Sequence, residues 1–126
     1  MIRPTFIGTG LVWLLTGAII FADPMGFYER APGLKLMGPF NMHFVRDVGI
    51  AFVASGATLT CGGWTKARAL VLAGSAWPFL HAVFHVQIWG HRGFPLDGIF
   101  AFDLLAVIAP PVLVLLLARK FGTAHG

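Results

Sequence analysis

The chain has 126 residues, of which 57% are hydrophobic and only 11% are charged, and its formal net charge is +4. Soluble domains carry about 25% charged residues, and disordered chains combine low hydrophobicity with high net charge, so this composition excludes both classes. The positive net charge comes without a run of basic residues, which argues against nucleic acid as a partner. It is typical of a membrane protein whose cytoplasmic segments collect Lys and Arg.

Four apolar segments follow one another along the chain, each close to the roughly 20 residues with which a helix crosses a bilayer. They cover residues 6–22, 42–61, 67–89 and 97–118, to within a few residues at each end. Uniform apolarity over such lengths does not fit membrane strands, which alternate. The sequence therefore predicts an all-α integral membrane protein, with residues 1–126 forming one four-helix transmembrane bundle.

The connections between the segments predict how the helices are arranged. Residues 62–66 and 90–95 are short and rich in glycine, and short connections place consecutive helices side by side in opposite directions. This predicts an up-down topology. Residues 23–40 are longer and mix prolines with apolar side chains that would avoid water. We expect a short amphipathic element there, lying along the membrane interface.

The distribution of Lys and Arg predicts the orientation of the bundle. One side, made of the N-terminus, the second connection and the C-terminal tail, has five cations and no acid: Arg3, Lys66, Arg68, Arg119 and Lys120. The loops of the other side have three cations mixed with acids: Arg30, Lys35 and Arg92. Both termini are therefore expected in the cytoplasm.

Ionisable side chains inside membrane segments are energetically costly and tend to be functional. His43 and Asp47 share a face of the second helix, His81 and His85 share a face of the third, and Asp103 lies in the fourth. With a rise of about 1.5 Å per residue, the second to fourth helices place these groups at similar depth below the outer surface. The sequence predicts a polar His/Asp site near that surface.

Imidazoles and carboxylates from facing helices are suitable ligands for a divalent transition metal such as Zn, Cu, Fe or Mn. The candidate metal ligands are His43, His81, His85, Asp47 and Asp103, with Arg46 as an orienting charge beside them. A b-type haem held by one histidine from each of two helices is the other form of this hypothesis. The first expectation for function is thus a small bacterial-type inner-membrane protein that binds metal or haem, with a redox role as one version.

Other interpretations remain open at the level of sequence. The protein could be a non-catalytic subunit or assembly factor of a larger membrane complex, with a membrane-protein partner or a second copy beside it in the lipid bilayer. It could couple proton movement to transport of a small solute. The polar residues could also serve packing alone, as a network that fixes the register of the helices. No catalytic residue is singled out, and the sequence does not decide whether the protein is an enzyme.

Overall fold

The computed structural model describes residues 2–121, and the described part of the chain is helical with no strand. Four of its helices are long and apolar enough to cross a membrane, which confirms the all-α class and fits a membrane protein. Their boundaries lie close to those predicted; the first helix starts earlier, at Ile2 rather than residue 6, and the second ends later by the same amount, at Thr65 rather than residue 61. The elements in chain order are α1 (Ile2–Ala22), α2 (Pro24–Arg30), a 3₁₀ turn (Leu34–Leu36), α3 (Met42–Thr65), α4 (Arg68–His91) and α5 (Gly98–Ala118).

Helices α1 and α3 are in close contact along most of their lengths, through glycines spaced seven residues apart. A Cβ atom added at Gly10 would come within 2.8 Å of the Gly56 carbonyl oxygen, and one at Gly17 within 2.4 Å of the Gly49 carbonyl oxygen. Small residues let helix backbones approach closely in lipid, where water provides no hydrophobic drive between helices. The pairing of low with high residue numbers shows that the two helices run in opposite directions.

The first turn of α1, which lay outside the predicted helix, is attached to the far end of α3. Arg3 donates hydrogen bonds to the carbonyl oxygens of Gly63 and Trp64, at 3.1 and 2.9 Å. These carbonyls belong to the last turn of α3, where intrahelical donors are missing and a cation is favourable. The contact explains why α1 begins at Ile2 rather than near residue 6.

The predicted turn over residues 62–66 is largely helical, because α3 continues to Thr65 and only Lys66 adopts the left-handed conformation that ends it. A Cβ atom at Gly62 would lie 2.6 Å from the backbone nitrogen of Val71 in α4, and one at Gly63 would lie 3.0 Å from Phe6 in α1. These glycines therefore mark close contacts between helices. The sequence pattern alone predicts a loop here, because glycine is common both in loops and at close helix contacts.

The hydrophobic core lies towards the end of the bundle where α3 joins α4. Phe6, Leu59, Val71, Val114 and Ala118 are buried there, one or two from each long helix. Arg68 at the start of α4 donates a hydrogen bond of 2.9 Å to the Ala118 carbonyl at the end of α5. The four long helices thus converge at this end of the bundle.

At the opposite end, the connection from α4 to α5 is held by side chains. The indole Nε1 of Trp89 donates to the Pro95 carbonyl at 2.9 Å, and its ring stacks on Phe100 at 4.4 Å between centroids. Arg92 pairs with Asp97, whose other carboxylate oxygen accepts the Phe100 backbone N–H and so caps α5. The predicted interfacial element between α1 and α3 corresponds to α2 and the 3₁₀ turn, where Leu36 and Met37 are exposed.

The cap at Asp97 leads to a pH prediction. The hydrogen bond from Arg92 and then that from the Phe100 N–H hold the pKa of Asp97 below its ordinary value of 3.8. The pKa of Asp97 is lower in the folded protein than in the unfolded chain. The ionised carboxylate therefore stabilises the folded state fully above pH 3.8, and this contribution is lost as the pH falls through the folded pKa. In micelles, the Asp97 carboxyl carbon resonance should titrate with a midpoint below 3.8, and Arg92→Gln should raise that midpoint. A wild-type midpoint at or above 3.8 would contradict this.

Candidate functional site: the His85–Asp103 pair

The most deeply buried carboxylate of the described chain belongs to Asp103, whose residue is only 7% exposed. One of its oxygens, Oδ2, lies 3.0 Å from Nδ1 of His85 on α4. His85 lies six residues before the end of α4, and Asp103 lies five residues after the start of α5. At about 1.5 Å per residue, both groups lie about 8–9 Å inside the ends of these two helices. The structure therefore brings together these two residues of the predicted site.

The contact between the two groups is close but not well aligned. His85 Nδ1 is buried and has no partner that satisfies hydrogen-bond geometry, although the carboxylate oxygen is at ion-pair distance. The ring N–H direction therefore does not point at the oxygen. Donor and acceptor groups of functional sites are often misaligned until a ligand or a proton arrives.

His85 is the last ring in a series of aromatic contacts along one face of α4. Trp77 stacks on His81 with 4.8 Å between ring centroids and an angle of 11°, and His81 meets His85 edge to face at 4.6 Å. Phe52 of α3 contacts both Trp77 and His81. The i,i+4 spacing of the three α4 residues places their rings one above the other. The series leads from the middle of the helix to the carboxylate of Asp103.

The position of Asp103 depends on an irregularity in α5 that the sequence analysis did not predict. Residues Asp103–Ile108 form a π-helical segment, in which the Ala109 N–H reaches back to the Leu104 carbonyl. Pro110 and Pro111, which follow after Ala109, lack the N–H groups that would continue the α-helical pattern. The wider turn brings Asp103 rather than Leu104, which is 40% exposed, to the inner face. Single π turns of this kind are frequent at functional sites.

His43 and Asp47 form a second pair, separate from the first. Nδ1 of His43 lies 2.9 Å from Oδ2 of Asp47, and the two side chains are 88% and 58% exposed on the surface of α3. Arg46 points away from them: its Nε donates to the Phe21 carbonyl at 3.3 Å, and its guanidinium lies 5.3 Å from the centre of the Phe21 ring. Arg46 thus interacts with the last turn of α1.

The five predicted metal ligands are therefore divided between two places. The structure brings His81, His85 and Asp103 together, whereas no hydrogen bond, ion pair or ring contact within residues 2–121 joins them to His43 or Asp47. In the same range, no three His, Cys, Asp or Glu side chains form a group that could hold a metal ion. The equal depth predicted for Asp47 and Asp103 is compatible with the helix boundaries. The two side chains nevertheless do not face each other, so equal depth did not bring them into one site.

Two contributors to the site could have been found from the sequence. Trp77 precedes His81 by four residues, so the spacing of Trp77, His81 and His85 already indicates a series on one face. The Pro110–Pro111 pair indicates an interruption in α5, although not that the adjustment would be a π segment ending five residues after Asp103. No family model, curated protein or solved structure matches the chain. Its function is accordingly inferred from the site alone.

Proposed function

We propose that this chain is a small bacterial-type inner-membrane protein in which the His85–Asp103 pair takes up and releases protons, coupled to the transport of a small solute. The observation that carries the proposal is a carboxylate, buried within a spanning helix, at 3.0 Å from an imidazole nitrogen. Such a pair can share, accept or give up a proton, and intramembrane ionisable residues commonly form proton pathways. His81, in ring contact with His85, offers the next site for a proton.

The membrane arrangement in this proposal is an up-down bundle with both termini in the cytoplasm. The four spanning helices and the distribution of Lys and Arg support it. Arg3 and Arg68 bind carbonyls at the end of the bundle where α3 meets α4, so they lie beside Lys66 on one side. His85 and Asp103 then lie towards the outer face.

Proton flux into vesicles tests the proposal. The purified protein is reconstituted with a pH-sensitive dye inside, and a potassium gradient with valinomycin drives protons inward. Asp103→Asn should lower the flux at least about tenfold, because it removes the carboxylate from the buried pair. Asp47→Asn is the matched control, since it makes the same change in the exposed pair and should leave the flux unchanged.

Two results would overturn the proposal. One is wild-type flux no greater than that of protein-free vesicles, together with no protonation change at Asp103 in infrared difference spectra recorded across a pH step. The other is a flux above that of protein-free vesicles that is equal in wild type and Asp103→Asn. The infrared measurement observes the carboxyl group directly, so it tests proton exchange even when the transported solute is missing from the assay.

A second candidate function is the metal or haem binding expected from the sequence. It is favoured by the position of His85, whose Nδ1 lies 3.0 Å from a carboxylate oxygen, because most metal-binding histidines have such a carboxylate beside the nitrogen that does not bind the metal. His81 could supply a second nitrogen. Since a metal site needs three or more protein ligands, the rest would come from a second copy or a membrane-protein partner, which joins this proposal to a role as subunit or assembly factor.

Metal analysis and an absorption spectrum of protein purified in mild detergent test the second candidate. It predicts stoichiometric Zn, Cu, Fe or Mn, or a haem absorption band, together with a complex larger than one chain. The bound metal or the haem band should disappear in the His81→Ala/His85→Ala variant. A monodisperse single chain with neither metal nor haem would contradict it.

A further inference from the structure

The imidazole of His81 is oriented by contacts with aromatic rings. It is stacked on the indole of Trp77, with 4.8 Å between the ring centroids and an angle of 11° between the planes. Phe52 of α3 meets His81 edge to face at 6.1 Å and meets Trp77 in the same way at 5.0 Å. Within residues 2–121, the His81 side chain makes no hydrogen bond and no ion pair. The direction in which its ring points is therefore set by ring packing.

A close approach of two helix backbones holds this aromatic group together. A Cβ atom added at Gly74 of α4 would lie 3.0 Å from the Ser55 carbonyl oxygen of α3. Small residues let helices come this near to each other in lipid. The two helices run in opposite directions, so Phe52 of α3 is brought level with Trp77 of α4. The rings that contact His81 are thus fixed by the packing of the bundle.

We infer that Trp77 is a positioning residue, which holds the imidazole of His81 against that of His85. The two imidazoles meet edge to face at 4.6 Å between centroids, and His85 lies 3.0 Å from the Asp103 carboxylate. When a proton leaves the buried pair, an N–H bond of His85 breaks, one of His81 forms, and the positive charge moves with the proton. Such a step needs the two groups within hydrogen-bond reach, directly or through one water. The inference rests on the proposed function, because it concerns the next step for the same proton.

An indole suits this position whether or not His81 carries the proton. Stacked aromatic rings attract each other beyond the apolar area that they bury. The face of an indole also attracts a cation, more strongly than the other aromatic side chains do. An aliphatic side chain at position 77 provides neither interaction, so it would leave the imidazole free to turn away from His85.

Nuclear magnetic resonance of the full chain in micelles, with labelled histidines, tests the positioning itself. In wild type, the ring protons of His81 should resonate upfield, because they lie over the indole, and should give cross-peaks to the ring protons of His85. Trp77→Leu should lose both signals, whereas Trp77→Phe should keep the cross-peaks because a stacked ring remains. Trp64→Leu is the matched control: it removes an indole that is 71% exposed, and it should change neither signal. A wild-type spectrum without these signals would overturn the inference without any variant.

Proton flux into vesicles tests the consequence for function. Trp77→Leu should lower the flux about tenfold, since a small displacement of a reacting group can cost as much as about a hundredfold in rate. Trp77→Phe and Trp64→Leu should stay close to wild type, and circular dichroism checks that each variant is folded.

Three results would overturn the inference and leave the proposed function intact. They are unchanged flux in Trp77→Leu, lowered flux in Trp77→Leu with the cross-peaks between His81 and His85 retained, and a flux in Trp77→Phe as low as in Trp77→Leu. Wild-type flux no greater than that of protein-free vesicles would instead count against the proposed function, and the inference would fall with it.

Discussion

Gly56→Ala is expected to lower the free energy of unfolding by about 3 kcal/mol, because overpacking at a tight helix contact forces backbone to move. A Cβ atom at Gly56 would lie 2.4 Å from the Leu14 nitrogen and 2.5 Å from the Gly10 carbonyl oxygen. Both are backbone atoms of α1, so no side-chain rotation can relieve the overlap and α1 has to shift as a whole. Reversible unfolding in mixed detergent micelles measures the change.

Gly8→Ala is the matched control, on the same pair of helices. A Cβ atom at Gly8 has no neighbour within 4 Å, so only the helix preference of alanine remains. This variant should be about 0.5–1 kcal/mol more stable than wild type. Similar losses of stability in Gly8→Ala and Gly56→Ala would show that α1 and α3 do not pack through Gly10 and Gly56.

His85→Leu should lower the free energy of unfolding by on the order of 3 kcal/mol, since it leaves Asp103 buried without its partner. The double variant His85→Leu/Asp103→Leu should recover most of this loss, because two apolar side chains can replace a buried ion pair at little cost. The four unfolding curves of wild type, both single variants and the double variant give the coupling energy of the pair.

The exposed pair on α3 provides the control cycle. His43→Leu and Asp47→Leu should couple by less than about 1 kcal/mol, as exposed ion pairs do. Strictly additive losses at His85 and Asp103 would mean that the 3.0 Å contact carries no interaction energy.

The same double variant separates a functional role from a packing role. If the buried pair serves packing alone, His85→Leu/Asp103→Leu should retain every measurable property of the protein along with its fold. The proposed function instead predicts that this double variant folds but no longer carries protons across the vesicle membrane. The two interpretations, which the sequence left side by side, therefore differ in a variant that is expected to fold.

The fold was largely predictable because it follows from the hydrophobicity of long segments rather than from single residues. Four apolar segments near 20 residues allow little besides helices, and the helices of the structure begin and end within a few residues of the predicted positions. The errors occurred at glycines. The sequence predicts a turn at Gly62 and Gly63, whereas in the structure both glycines contact neighbouring helices. A glycine in a sequence does not reveal which of the two roles applies.

The sequence predicts how far along its helix each candidate residue lies, but not which way its side chain points. Counting residues from the helix ends placed His85 and Asp103 at one level, and the structure joins them. The same counting placed Asp47 there, yet its side chain points outwards from α3. Facing depends on how each helix is rotated, and in α5 that rotation is set by a π segment that no periodicity in the sequence displays.

The π segment also sets how residues 98–103 are rotated about the axis of α5. A π turn contains about one residue more than an α turn, so its conversion to α-helix would swing residues 98–103 by about 100° around the axis. Phe100 would leave Trp89, and Asp103 would leave His85, in the same movement. The π segment therefore fixes two contacts together, the buried pair and the ring contact that holds the connection from α4 to α5.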